Sequence, residues 1–168
     1  MKTVIRHGCF ETNSSSTHSI VVSKGSIKPL SLPLDEHGRV CIEFGEYGCG
    51  PDTLSTQREK MCFLLTMAYE TECRHKGNVG SKDAFAQTDG FKALDEFARE
   101  NIDGCIGLNI GNSFCDGSCG CDVGSAHGYI DHNSCEYESL ADFLNQNNTS
   151  IRRFVRHSGT VMEMDYDG

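Results

Sequence analysis

Tryptophan is absent from this 168-residue chain, and proline occurs only three times. With a hydrophobic fraction of 38%, the core has to be small or helped by something else. Basic residues are also in short supply, 15 Lys and Arg against 24 Asp and Glu, for a net charge of −9. A protein that grips nucleic acid neutralises phosphates with Lys and Arg, so direct nucleic-acid binding is not expected. Long apolar runs are missing too. The longest, 61–68, falls far below the ~20 residues needed to span a bilayer, and no membrane association is expected. Met1, Lys2 and the residues up to His7 carry early charge with no apolar stretch of about 7–15 residues behind them, unlike a secretory signal. A cytoplasmic setting is the resulting expectation.

What the chain does hold is cysteine, ten of them. In a reducing compartment these read as thiols or metal ligands more readily than as disulfides. It also holds acid, unevenly placed. Residues 1–60 carry seven bases and seven acids, and residues 61–102 carry five and seven. Residues 103–168 carry three bases (Arg152, Arg153, Arg156) and ten acids, a net of −7. That third is either a solubilising surface or an acidic face that meets a basic partner.

The length suits one domain. Short strands are expected at 3–10 and 18–23, flanking the polar run 12–17, and at 39–44, where Val40, Ile42 and Phe44 alternate onto one face. A glycine-rich turn at 45–51 precedes a helix marked by the capping-box pair Thr56 and Glu59, with Met61, Leu64, Leu65 and Ala68 as its stripe. Gly77 and Gly80 signal its end. A second helical region spans 83–102, weakened at Gly90, with Phe91, Leu94, Phe97 and Ala98 inward. A buried strand is expected at 104–110, a short helix at 139–145 with Leu140, Phe143 and Leu144 inward, and strands at 151–156 and 160–166. The order predicts a single α+β domain, with a mixed or antiparallel sheet, two to three helices on one side, and a cysteine-rich loop, 111–136, inserted in it.

Half of the cysteines fall in 105–135: Cys105, Cys115, Cys119, Cys121 and Cys135. Cys115-x3-Cys119-x-Cys121 is followed by His127, His132 and Cys135, with glycines and serines between that let a loop fold tightly about a point. Zinc takes four such ligands in a tetrahedron, and its binding energy would add to folding and supplement the small core. The best set is Cys115, Cys119 and Cys121 with one of Cys135, His132 or His127. The spacing is not that of a zinc ribbon, so a glycine-rich loop with reduced thiols stays open beside it, with disulfides a third reading. Asp116 and Asp131 could act on metal-bound water, but the loop has no recognisable hydrolase motif. Cys62 reads as core; Cys73 and His75 read as a solvated helix end.

The second informative segment runs from Arg6 to Ser19. Its hydroxyl and amide side chains, with Arg6 and His18 beside them, offer donors for a phosphate or carboxylate. A Ser–His nucleophile built on Ser15 and His18 with Glu11 is an alternative, and so is a polar hairpin loop that satisfies its own backbone. The string Arg6-His7-Gly8-Cys9-Phe10-Glu11-Thr12-Asn13-Ser14-Ser15-Ser16-Thr17-His18-Ser19 resembles the opening of a group of short, largely uncharacterised phage and bacterial proteins, Arg-x-Gly-x-Phe-Glu-Thr-Asn-Ser-Ser-Ser-x-His-Ser. Gly128-Tyr129-Ile130-Asp131-His132 is similar to a segment of the same group. The two patches cover about 20 residues, as counted along the chain. The resemblance implies a phage or mobile-element setting and a shared site of Arg6, Glu11, Asn13, Ser14, Ser15, Ser16 and His18, with no activity attached.

Three functions follow as expectations. The first is a non-catalytic protein that binds a host partner, such as a basic defence nuclease, as anti-CRISPR proteins do. The second is a metal-dependent or Ser/His phosphate-handling hydrolase, which requires Arg6, Glu11, Ser14 to Ser16 and His18 to meet His127 or His132 in one pocket. The third is a structural zinc module.

Overall fold

The helix that the sequence marks most strongly is the one around which the core assembles. In the computed structural model, which describes residues 3–6, 15–48, 52–76, 79–111, 114–115, 125–130 and 137–167, helix α1 spans Gln57–Lys76. It opens on the expected capping box: Thr56 Oγ1 accepts from the Glu59 amide at 3.2 Å, and Glu59 Oε2 accepts from the amides of Thr56 (2.8 Å) and Ser55 (2.9 Å). The bond from Thr56 is the main cause of a Glu59 carboxyl held below its usual range. Met61, Leu64, Leu65 and Ala68 are buried, as the periodicity requires. Cys62, Phe63, Met67 and Tyr69 are buried as well, so this stretch is covered on all sides.

Helices α2 (Lys82–Phe85) and α3 (Asp89–Asn101) follow. The interruption between them lies at 86–88, not at Gly90, because Thr88 caps α3 by accepting from the Phe91 amide at 3.2 Å. Gly90 serves packing instead. A Cβ there would lie 2.9 Å from the Ala68 Cβ, so its absence lets α3 press against α1. Phe91, Leu94, Phe97 and Ala98 are buried as expected.

Helix α4 (Leu140–Gln146) starts at the Ser139 cap and buries Leu140, Phe143 and Leu144. Asn148 turns the chain at φ 47°, and α5 (Ile151–Arg156) begins three residues after it. The expected strand at 151–156 is therefore a helix. Ser150 accepts from the Arg153 amide at 3.2 Å, and Phe154 and Val155 are buried three and four residues after Ile151, which is helical spacing.

The strands are β1 (Thr3–Arg6), β2 (Ser15–Val22), β3 (Arg39–Cys41), β4 (Glu46–Tyr47), β5 (Asp52–Leu54), β6 (Gly107–Asn109), β7 (Tyr129–Ile130) and β8 (Thr160–Asp167). A four-stranded antiparallel sheet has the order β1-β2-β8-β5. Two parallel pairs, β3 with β6 and β4 with β7, complete the strand pairing among the described residues. The expected strand at 39–44 pairs over only three residues, yet Val40, Ile42 and Phe44 are buried while Glu43 is exposed, as the alternation predicts. The turn at 45–51 contains β4, and the strand at 104–110 shortens to β6. The chain is a single α+β domain, with more helices than expected because α2 and α5 are separate elements. Ile20, Leu54, Met162 and Met164 of the large sheet join the aromatic side chains of the helices in one core. No helix among the described residues is long and apolar enough to cross a membrane.

Candidate functional site

The N-terminal polar run is not a loop throughout. Ser15, Ser16, Thr17, His18 and Ser19 belong to β2, an inner strand of the sheet, and Arg6 ends β1. Glu11, Asn13 and Ser14 lie outside the described residues. The strand begins at 15 rather than 18 because hydroxyl residues tolerate extended backbone and β8 supplies the partner groups. The register sets Ser15 opposite Asp167, Thr17 opposite Asp165 and Ser19 opposite both Arg6 and Glu163. His18 stands opposite Met164, which in turn faces Asp52 of β5. Residues 15–19 of the group-like motif and the acidic C-terminal strand therefore share one hydrogen-bonded ladder.

The cysteine-rich loop is closed at its foot. Phe114 pairs with Ala126 in an antiparallel bridge, and the Cys115 amide donates to the Ser125 carbonyl at 2.7 Å. The Ala126 amide donates to Tyr69 Oη at 3.0 Å, fastening the returning strand to α1. Burial, with Cys73 beside it, pushes the Tyr69 phenol up, which keeps it neutral. Phe114 enters an aromatic cluster with Phe44 (5.5 Å between centroids) and Tyr69 (5.7 Å). Cys115 is buried, and Cys41, Cys62, Cys73 and Cys105 are not joined in disulfides. Cys119, Cys121, His132 and Cys135 lie outside the described residues. Among the described residues, no three His, Cys, Asp or Glu side chains stand close enough to hold a metal ion.

His127 goes elsewhere. It lines a cleft of about 370 Å³ together with Cys41, Arg58 and Asn109. The cleft exists because β3 runs parallel to β6, which sets Cys41 opposite Asn109. Beside it, Asp35 anchors a tight turn: Oδ1 accepts from the amides of His37 and Arg39, each at 2.9 Å. Oδ2 accepts from Asn109 Nδ2 at 3.1 Å and from the Cys41 thiol at 3.7 Å. These donors, the Arg39 amide foremost, push the Asp35 carboxyl down to about 2. Arg58 Nη1 donates to the Cys41 carbonyl at 2.8 Å, and Nη2 meets the Glu43 carboxylate at 3.4 Å.

The Cys41 thiol donates to the ionised Asp35 carboxylate. The guanidinium of Arg58 is committed to the backbone of Cys41 and to Glu43. Cys41, Arg58 and Asn109 were not candidates in the sequence, since their meeting depends on pairing between strands nearly 70 residues apart. The legible signal was the Asp35-Glu36-His37-Gly38 turn, where an Asp side chain two and four residues ahead of free amides marks an Asx-type turn. No protein-family model matches the chain, and comparison with curated proteins and with solved structures finds no match to it.

Proposed function

We propose that this is an acidic phage or mobile-element protein that acts by binding a host protein. The partner whose chemistry fits is a basic, nucleic-acid-handling defence nuclease, met in the manner of anti-CRISPR proteins. The observation that carries this reading is the pairing of β2 with β8. Residues of the group-like motif stand opposite acids at every second position, Ser19 with Glu163, Thr17 with Asp165 and Ser15 with Asp167. Glu163 is exposed while its strand neighbours Met162 and Met164 are buried. A sheet with such a row offers a basic channel an extended anionic surface, and long-range attraction would steer the encounter. The resemblance of Arg6 to Ser19 supports the phage setting. The catalytic alternative requires Arg6, Glu11, Ser14 to Ser16 and His18 to meet His127 or His132 in one pocket.

Structural zinc belongs to the same reading. Cys115, buried at the closed foot of the loop, would be its first ligand, with Cys119, Cys121 and one of Cys135, His132 or His127 completing the set. Protein purified without added metal is expected to carry about one zinc per chain by elemental analysis, and less than about half an equivalent overturns this part.

The partner reading is tested by combining Glu163→Gln, Asp165→Asn and Asp167→Asn and measuring inhibition of candidate nucleases with purified components. The triple variant should inhibit at least about tenfold more weakly, and the wild-type complex should weaken as salt rises. Unchanged inhibition by the variant, or binding indifferent to salt, removes the acidic ladder from the interface.

A further inference from the structure

The charge of the fold is less uniform than its total of −9 suggests. Residues 12–34 and 143–162 contain no Asp or Glu at all, and the fold zips parts of these two acid-free stretches together. The Ser23 amide donates to the Gly159 carbonyl at 2.7 Å, Ser158 to Ser26 at 3.0 Å and Lys28 to Arg156 at 2.8 Å, around a bridge between Ile27 and His157. Gly25 permits the approach, since a Cβ there would stand 2.5 Å from the Gly159 nitrogen. All three bases of residues 103–168 sit on α5, which leads into this junction.

The cations gathered on the two segments are Lys24, Lys28, Arg152, Arg153 and Arg156. Arg156 is already committed: Nε donates to the Lys28 carbonyl at 2.6 Å, and Nη1 donates to Asn101 Oδ1. It thereby staples α5 to residues 23–28 and to the end of α3. The other four are exposed, and among the described residues none of them pairs with an acid. Arg152 precedes Arg156 by four residues, which sets both on one face of α5. Unpaired cations carried on packed segments repel one another, and an anion that supplies the missing charge relieves them.

We propose that the junction of residues 23–28 with α5 binds the phosphodiester backbone of a nucleic acid, through Lys24, Lys28, Arg152 and Arg153. Two features choose that partner over other anions. The exposed hydroxyl residues Ser26 and Ser158 stand among the cations, and phosphate oxygens take hydrogen bonds from both kinds of group. An acidic protein would be held by buried aromatic or apolar anchors, and an anionic membrane by inserted ones. The one large apolar side chain exposed on these two segments is Ile27. The chain-wide excess of acid opposes the contact, which keeps it weak and confined to this face. The proposal goes beyond the partner-binding reading and does not rest on it, since it uses no residue of the acidic row.

The test uses the full chain and a fluorescein-labelled single-stranded RNA of about 20 nucleotides, long enough to cross the patch, followed by fluorescence anisotropy. Saturable binding is expected at low salt, with log K falling against log salt at a slope of about −2.8, the value for four phosphates of a single strand. Lys24→Gln with Lys28→Gln, and Arg152→Gln with Arg153→Gln, should each halve that slope to about −1.4 and weaken binding at least tenfold or so. All four positions are exposed, so thermal melts of both variants should match the wild type. The β8 triple variant should bind the RNA at least as tightly as the wild type does. Absence of binding at low salt, binding indifferent to both pairs of substitutions, or its loss in the β8 triple variant overturns the proposal. A polyglutamate peptide or phosphatidylserine vesicles that compete as strongly as unlabelled RNA would assign the patch to an acidic protein or a membrane, which overturns it too. None of these outcomes touches the partner reading, which stands or falls on nuclease inhibition.

Discussion

Asp35 has both carboxylate oxygens engaged, by two backbone amides, the Asn109 amide and the Cys41 thiol. Arg39 Nε adds charge at 3.4 Å. Each donor favours the ionised form, and the carboxyl falls to about 2. A folded-state value below the unfolded one means that the group's stabilisation is full above the unfolded value and is lost as pH drops from there through the folded one. Asp35→Asn is expected to lower Tm by several degrees at pH 7, and its deficit should close as pH falls from about 4 towards 2. Thermal melts of both proteins at three pH values decide it; a constant deficit would assign the loss to packing. Lys60 poses the opposite case. It is 1% exposed, and burial pushes its ammonium below the usual 10.5 while Glu59 pulls it back. Its charge thus costs stability at neutral pH, a cost relieved only as pH rises towards 10.5. Lys60→Met, which keeps the stem, should raise Tm at pH 7, with the gain shrinking as pH rises towards 10.5.

At the scale of elements, the crossing of α1 and α3 turns on Gly90. Alanine there would gain helix propensity of up to about 1 kcal/mol. Its Cβ would sit 2.9 Å from that of Ala68, however, and neither atom can swing away because each is fixed to its backbone. Overpacking costs about 1–3 kcal/mol, so the clash outweighs the gain. Gly90→Ala should lose on the order of 1 kcal/mol in urea unfolding, and adding Ala68→Gly should recover part of it. The same pair shows what a sequence can disclose. Gly90 is legible in the sequence as a weak point of a helix, but its partner three turns along another helix is not, so its packing role is hidden there. The capping box of α1 was legible because both of its partners lie within four residues. For α5, Ile151, Phe154 and Val155 fit a strand and a helix equally over six residues, and the Ser150 cap was the signal that separates them. Apart from the Asx-type turn at Asp35 beside it, the cleft of Cys41, Arg58, Asn109 and His127 has no local signature, since four distant segments contribute to it.

For the molecule as a whole, the governing fact is that its large sheet joins the two ends of the described chain. Val22 pairs with Thr160 and Ser15 with Asp167, so the inner strand β8 cannot take its place until everything between has been made. Such pairing closes a loop of nearly the full chain, which slows folding more than it weakens the folded state. Without β8, the sheet loses Met162 and Met164 from the core, worth about 1.5–3 kcal/mol each. It also leaves β2 and β5 without their shared neighbour, stripping a full row of backbone hydrogen bonds from each. Against a total stability of about 5–15 kcal/mol, that loss is enough to unfold the domain. A chain ending at residue 159 is therefore expected to melt without a cooperative transition, and a synthetic peptide of residues 160–167 in excess should restore one. On the proposed partner-binding reading, restoration should also bring back nuclease inhibition, because the same strand carries Glu163, Asp165 and Asp167. A peptide with those three acids neutralised should rebuild the fold while leaving the partner unbound, which separates the strand's part in architecture from its part in recognition.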